Sequence, residues 1–480
     1  MAVLFLVRMS FILTLSSTIS RILVDAASCP NLTPTNSIKP TVASGYQMAL
    51  VATGLTAPRS MEFDGDGNLL VVQQGAGLIN LVLNDGGGTC LSVKSSKNVV
   101  QNSGLNHGLA LSQDGKTLYA STTEAAFSWP YDAESSSVTS SNTTLVSGMS
   151  TEDHTTRTLL MSQKAPGILV ISRGSTANID PIAEQLSSGH SQIKAFDLGK
   201  VPIGGTGYTF DTEGTLLGWG LRNSVGVAEH PSTGGIYSVE NSADQIERDG
   251  VDIHEDNPGK SYRLLLSEAF TDRGKGSNYG YPYCFAAWVP SDIPGFNGNV
   301  GAQFALQQNA TINDTYCGEQ TAPVITFQAH QAPIDIVFNN SGTEGWVSFH
   351  GSWDRTEPAG YKVSMIPFEN GNPIAKPDNN TAAIDIFTNA NNTVCPNNCF
   401  RPAGLVFDSQ GRLFVSSDAS GEIYVVVKDS TTSTNGIATT GTSSTPVATS
   451  SSVSSAANLE GCSLAVLAAL FGLLCIMEAR

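Results

Sequence analysis

One turn keeps returning along this chain, and it limits the folds open to it more than any other feature. An apolar residue is followed by a polar turn containing Gly and then by a run of β-formers. The copies are Phe63-Asp64-Gly65-Asp66-Gly67-Asn68 before LLVV, Leu111-Ser112-Gln113-Asp114-Gly115-Lys116 before TLYAS, and Lys164-Ala165-Pro166-Gly167 before ILVIS. They continue with His230 to Gly235 before IYSVE, Phe338 to Gly342 before WVSFHG, and Phe407-Asp408-Ser409-Gln410-Gly411-Arg412 before LFVSS. Gly accepts φ > 0 where other residues clash, so such turns between β-rich runs mark hairpins. Widely spaced hairpins predict an all-β fold, a six-bladed β-propeller with inserted loops over residues 28–428. Four-stranded blades of roughly 40–50 residues each hide their edges around a central axis. Phe210-Asp211-Thr212-Glu213-Gly214 reads as an extra, irregular copy. Two β-sandwiches are the rival architecture, but they would leave the single-copy motifs below on separate domains.

The two ends of the chain have different compositions. Residues 1–27 carry an apolar run from Met9 to Ile19 beside Arg8 and end on Ala26-Ala27, the pattern of a secretory signal peptide. Secretion gives the cysteines meaning: Cys29, Cys90, Cys284, Cys317, Cys395 and Cys399 form an even set, and adjacency suggests the pairs 29–90, 284–317 and 395–399, though spacing alone leaves other connectivities open. A zinc site at Cys395–Cys399 is the competing idea, without a second CxxC to support it. Sequons at Asn31, Asn142, Asn309, Asn313, Asn339, Asn379 and Asn391 fit a glycoprotein of the secretory route. Residues 429–457 are a Ser/Thr-rich segment unable to form a core and read as a disordered stalk. Residues 458–480 hold the apolar run Leu464 to Leu474, which fits a removable GPI lipid-anchor signal.

Candidate chemistry concentrates in a few stretches. Arg222-Asn223 places a planar donor fork beside an amide, suited to a carboxylate. One strand later Glu240-Asn241-Ser242-Ala243-Asp244 offers the hard oxygens calcium prefers. Asp153-His154 pairs a carboxylate with an imidazole, the arrangement of a general base. His107, His330 and the stretch Phe349-His350-Gly351-Ser352-Trp353-Asp354-Arg355 add imidazoles and an indole near strand ends. Arg59 and Arg401 occupy like positions before the first and last hairpins. Each has a bland alternative as a salt-bridged loop residue, yet corresponding positions of a propeller converge at its axial mouth. The formal net charge is −17 with only 25 Lys plus Arg, which argues against nucleic acid and anionic membranes as partners. On so acidic a protein, an electropositive mouth built by Arg59, Arg222 and Arg401 implies a bound polyanion. No GxSxG elbow, P-loop, HExxH or strand–helix GxGxxG is present. The segment from Asp256 to Gln328, which carries Cys284 and Cys317, is the largest departure from the repeat and is expected to cover the site.

In their order, Asp153-His154, Gly220-Leu221-Arg222-Asn223, Glu240-Asn241-Ser242, Asn278-Tyr279-Gly280-Tyr281-Pro282 and Arg401-Pro402-Ala403-Gly404 resemble the glucose/sorbosone dehydrogenases. Those are six-bladed propellers that use pyrroloquinoline quinone (PQQ) with calcium. The Trp219–Asn223 and His350–Trp353 stretches look most like the fungal pyranose dehydrogenase branch. The resemblance spans about residues 46–427. It implies His154, beside Asp153, as the base that takes the sugar hydroxyl proton, with His330 and His350 as the other imidazoles in contention. It implies a quinone held by Arg59, Arg222, Asn223, His330, Trp353 and Arg401, with His107 added to this set, and calcium near Asn241 and Ser242. Bacterial members carry Gly-Pro at that turn where this chain has Asn241-Ser242.

The expectation is a secreted enzyme, anchored at the cell surface through a GPI lipid and touching membrane or cell wall only through that anchor. It oxidises a pyranose or keto-aldose sugar at C1 and passes electrons to an external acceptor such as a cytochrome or small quinone. The rivals are a calcium-dependent propeller lactonase or esterase and a non-catalytic glycan-binding propeller of the cell wall.

Overall fold

Asp64 and Asp408 show why the recurring turns form. Asp66 and Asn68 N–H both donate to Asp64 Oδ1 (3.1 and 2.8 Å). Gln410 and Arg412 N–H donate to Asp408 Oδ1 in the same way, at 2.9 Å each. Each carboxylate thus ties its own turn, and Gly67 and Gly411 supply the positive φ that closes it. The turns join Pro58–Phe63 to Leu69–Gln73 and Pro402–Phe407 to Leu413–Ser417, antiparallel. The other copies of the motif likewise join the first two strands of a sheet.

The computed structural model describes residues 29, 31–36, 39–202, 206–257, 260–265 and 276–429. The expected leader over 1–27, the stalk past residue 429 and the apolar tail lie outside these residues. The described residues form an all-β propeller. Its first strands, Pro58–Phe63, Leu109–Leu111, Leu159–Met161, Ser224–Glu229, Pro333–Phe338 and Pro402–Phe407, each contact the next, and the last returns to the first. Tyr46–Ala52 pairs with Glu422–Lys428, so the two ends of the domain close the ring in one sheet.

The expected six-bladed architecture of like four-stranded units is corrected by the sheet topology. Among the described residues three sheets are four-stranded, one has five strands and two have six, and two further two-stranded ribbons stand outside them. The added strands come from elsewhere in the chain: Tyr208–Thr209 and Ser277–Asn278 join parallel, and Pro40–Val42 joins antiparallel. A bare outer edge exposes unpaired N–H and C=O groups, and these segments cap it. The recurring turn marks only the first hairpin of a sheet, so the sequence pattern carries no information about these outer strands. The extra copy at Phe210 to Gly214 is corrected as well, because it links Tyr208–Thr209 to Thr215–Trp219, strands of two different sheets.

Neighbouring sheets bury apolar side chains between them, as where Leu69 and Val71 pack with Phe414 and Val425. Around the axis they are also stitched by hydroxyls. Ser121 Oγ donates to Arg157 O (2.6 Å), Ser348 Oγ to Ala403 O (2.7 Å) and Ser416 Oγ to Arg59 O (2.8 Å). Gly404 makes the last approach possible, since a Cβ there would lie 2.2 Å from Arg59 O. The disulfides are Cys29–Cys90, Cys284–Cys317 and Cys395–Cys399, the pairs that adjacency implied. None of the seven sequon asparagines is buried.

Candidate active site

The loop carrying His154 is gathered around a guanidinium. Arg157, fully buried, donates to Met149 O (3.0 Å), His154 O (2.7 Å), Thr156 O (2.6 Å) and Thr151 Oγ1 (2.7 Å). Burial, and then the charge of Arg173, push its pKa down to about 9. His154 Nδ1 lies 3.0 Å from Ser175 O and 2.9 Å from Ser175 Oγ, whose own proton goes to Ala177 O (2.8 Å). Two acceptors facing Nδ1 assign the ring proton to it and leave the lone pair on Nε2. Asp153 Oδ2 is 3.8 Å from Nε2 and its side chain is half exposed. Gly174 permits this arrangement, because a Cβ there would meet His154 Cβ at 2.7 Å and Asn223 Oδ1 at 2.8 Å.

A second group of residues is tied together by Asp418. Arg59 Nη1 donates to Asp418 Oδ2 (2.6 Å) and His350 Nε2 to Asp418 Oδ1 (2.8 Å). Burial alone would raise the Asp418 pKa, but His350 and Arg59 hold it well below the usual carboxylate range. Burial lowers the His350 pKa, and the Asp418 carboxylate opposes that shift. Arg59 Nε donates to His107 Nδ1 (3.3 Å), and burial drives the His107 pKa well below the ordinary value. Arg401 donates to His350 O (3.1 Å) and Gly351 O (3.3 Å) and stacks over Tyr361.

On the facing side Arg222 is largely committed to protein oxygens. It donates to Asn178 O (2.9 Å), Asn178 Oδ1 (2.8 Å) and Asn241 O (3.2 Å), with Asp244 Oδ2 at 3.6 Å. His330, at φ +62°, has Nε2 on His254 O (2.5 Å) and Nδ1 3.0 Å from Asp354 Oδ1. Among the described residues His254, His330 and Asp354 bring three potential metal-ligand atoms together. The Gln245 N–H occupies His254 Nδ1 at 2.8 Å, so neutral His254 carries its proton on Nε2, which faces Asp354 O at 3.2 Å. His254 is thereby committed on both ring nitrogens, while His330 turns Nδ1 toward the Asp354 carboxylate.

These groups meet in one cavity of about 280 Å³. Arg59, Asp153, His154, Arg222, Asn223, Asn241, His330, Trp353 and Arg401 all line it, although they come from segments spread over the whole propeller. Trp353 stands at its rim, 66 % exposed. His107 and Ser242 do not line it: both are buried, His107 behind Arg59. Val225 and Ile334 supply apolar lining and pack with Ala403.

Two expectations about the cavity change. The mouth is not electropositive, because Arg59, Arg222 and Arg401 share the lining with Asp153, Asp244 and Asp354. Buried guanidinium groups are costly without a counter-charge, and these carboxylates supply it. None of the described residues from Asp256 to Gln328 lines the cavity either. That segment acts from behind: the Tyr281 hydroxyl donates to Asn178 O (3.1 Å), the oxygen that accepts from Arg222. Asp244 and Asp354 sat inside stretches already singled out in the sequence, whereas nothing local marked Asp418 or Arg157.

The donor set suits an acidic ligand accompanied by a hard cation. Three guanidinium groups offer donors to carboxylates, and Asp244 and Asp354 offer oxygens of the type calcium prefers. Both Asp354 side-chain oxygens are buried without a hydrogen-bond donor among the described residues. Asn241 O already accepts from Arg222, and the Asn241 amide donates to Pro333 O (2.9 Å).

Comparison with known proteins gives consistent matches. The model of the TrAA12-like family matches residues 40–429. A pyrroloquinoline quinone-dependent sugar dehydrogenase of Hypocrea jecorina (strain QM6a) is 45% identical over 394 residues, 81% of this chain and 89% of that protein. A pyrroloquinoline quinone-dependent pyranose dehydrogenase of Coprinopsis cinerea is 37% identical over 424 residues, 83% of this chain but 56% of that longer protein. The calcium structure of a Trichoderma reesei protein of Carbohydrate-Active Enzymes Family AA12 superposes with a TM-score of 0.80 at 45% identity. It covers 83% of this chain and 99% of that one.

Proposed function

This chain belongs to the TrAA12-like family, and from that premise we propose how its cavity performs the family's reaction. It is a PQQ-dependent sugar dehydrogenase of the secreted, extracellular class; it uses calcium and passes electrons to an external acceptor. Membership of this family selects the dehydrogenase over the lactonase and glycan-binding readings. The finer reading is oxidation of a pyranose or keto-aldose at C1.

When bound, the quinone supplies the hydride acceptor and calcium polarises it as a Lewis acid. Every other task falls to the chain. His154 Nε2, bearing the lone pair, takes the proton of the sugar hydroxyl, and Ser175 keeps the ring in that tautomer. Arg59 and Arg401 would hold cofactor carboxylates with the donors their internal bonds leave over, while Arg222, Asn223, His330 and Trp353 complete the walls. Asp244, Asp354 and Asn241 are the oxygen donors of the lining that would hold calcium; His107 lies behind Arg59, and Ser242 is buried outside the lining. Trp353 is placed to stack on a sugar ring entering at the rim.

The observation that carries this reading is the convergence of Arg59, Arg222 and Arg401 on the cavity that also holds His154. Equilibrium titration of the apo-protein with quinone in the presence of calcium tests it. Arg401→Ala removes a charged donor, a loss of about 1.5–3 kcal/mol, so the Kd is expected to rise roughly 10–100-fold. An unchanged Kd removes Arg401 from the site.

The sequence beyond residue 429 supports a surface anchor as a further part of this proposal. Release of the protein from cell membranes by a phosphatidylinositol-specific phospholipase is the expected result, and retention after treatment argues against the anchor.

A further inference from the structure

We propose that Asp418 is a positioning residue for this cavity. It holds Arg59 and His350 with one oxygen each and fixes His350 as the Nε2–H tautomer, leaving Nδ1 as the ring's proton acceptor. The inference rests on the dehydrogenase reading above for its purpose, while its geometry stands without it.

Asp418 follows the strand Leu413–Ser417 on a turn that has little room to move. Gly421 N–H donates to Ser417 O (3.0 Å), Ser420 Oγ to Ser417 Oγ (2.7 Å), and a Cβ at Gly421 would lie 2.4 Å from Leu55 O. The carboxylate is 11 % exposed and lies between two residues of the cavity lining. A carboxylate only accepts, so the 2.8 Å contact requires the His350 proton on Nε2. Nδ1 makes no hydrogen bond among the described residues. The link continues through the same residue, because His350 O accepts from Arg401 Nε. One buried carboxylate therefore sets the position of Arg59 directly and that of Arg401 through His350.

Such a carboxylate behind an imidazole fixes its orientation and raises the basicity of the opposite nitrogen. The charged groups facing His350 are Asp418, Arg401 and Arg59: the first favours its protonation and the two arginines oppose it. Replacing Asp418 by Asn removes the favourable charge and keeps the size, so His350 should titrate at lower pH.

The test uses the full apo-protein and ¹⁵N-detected NMR of the histidine rings. His350 is expected as Nε2–H in the wild type. In Asp418→Asn its protonation midpoint moves down, and the quinone Kd in calcium rises on the order of tenfold. In a His350→Gln background the same substitution should change the Kd less, because part of its effect passes through His350. An Nδ1–H tautomer in the wild type overturns the proposal even if the variant fails to fold, and so does an unmoved midpoint in a folded variant. A wild type that binds no quinone would defeat the dehydrogenase reading, and the tautomer measurement would still decide the role of Asp418.

Discussion

Replacing His154 by alanine is expected to lower kcat by about 10²–10⁴-fold, the usual contribution of a positioned general base. Quinone affinity should change little. The reason lies in the tautomer: Ser175 O and Oγ face Nδ1, so Nε2 is the nitrogen able to accept a proton, and His154 lines the cavity that also holds the arginines. Asp153→Asn should cost much less, since its carboxylate is 3.8 Å from Nε2 and half exposed to water. Steady-state kinetics with a dye acceptor, paired with a quinone titration, separates the two effects. If His154→Ala keeps full turnover, the proton is taken elsewhere, and His350 becomes the first candidate because its Nε2 is bonded to Asp418.

The second large effect is structural. Arg157→Ala should destabilise the protein by roughly 3–5 kcal/mol, because the carbonyls of Met149, His154 and Thr156 lose their donor at about 1–3 kcal/mol each, reduced by some access to water. For a domain of this size that corresponds to a fall in Tm of roughly 4–6 °C. Activity should fall further than stability alone explains, since the same guanidinium holds the backbone of the loop that carries His154. Calorimetry gives the first quantity and kinetics at a temperature where the variant is folded gives the second. A variant with wild-type Tm would mean that the loop holds its shape without Arg157.

Those two residues illustrate what the sequence could and could not reveal. His154 sits beside Asp153 in a motif readable on its own, and the Asp-Gly turns announce their hairpins because the cause is local: Asp64 and Asp408 bond amides two and four residues away. Arg157 looks like any loop arginine until its carbonyl partners are seen. Asp418 is 359 positions from Arg59, so no spacing rule connects them. The parallel outer strands were invisible for a related reason, because sheet edges recruit whatever segment passes nearby. His107 belongs with Arg59 but lies beneath it, outside the cavity lining, a depth that sequence spacing does not carry. Counting arginines does not reveal the balanced charge of the cavity, because it ignores the carboxylates that buried guanidinium groups require.

Reconstitution tests most directly whether this arrangement of guanidinium groups, carboxylates and imidazole oxidises a sugar with a quinone. Purified apo-protein supplied with PQQ and calcium should reduce an artificial electron acceptor only when a sugar is added, and should lose that activity in His154→Ala. Reconstituted protein that reduces no dye across a panel of pyranoses and keto-aldoses would contradict it.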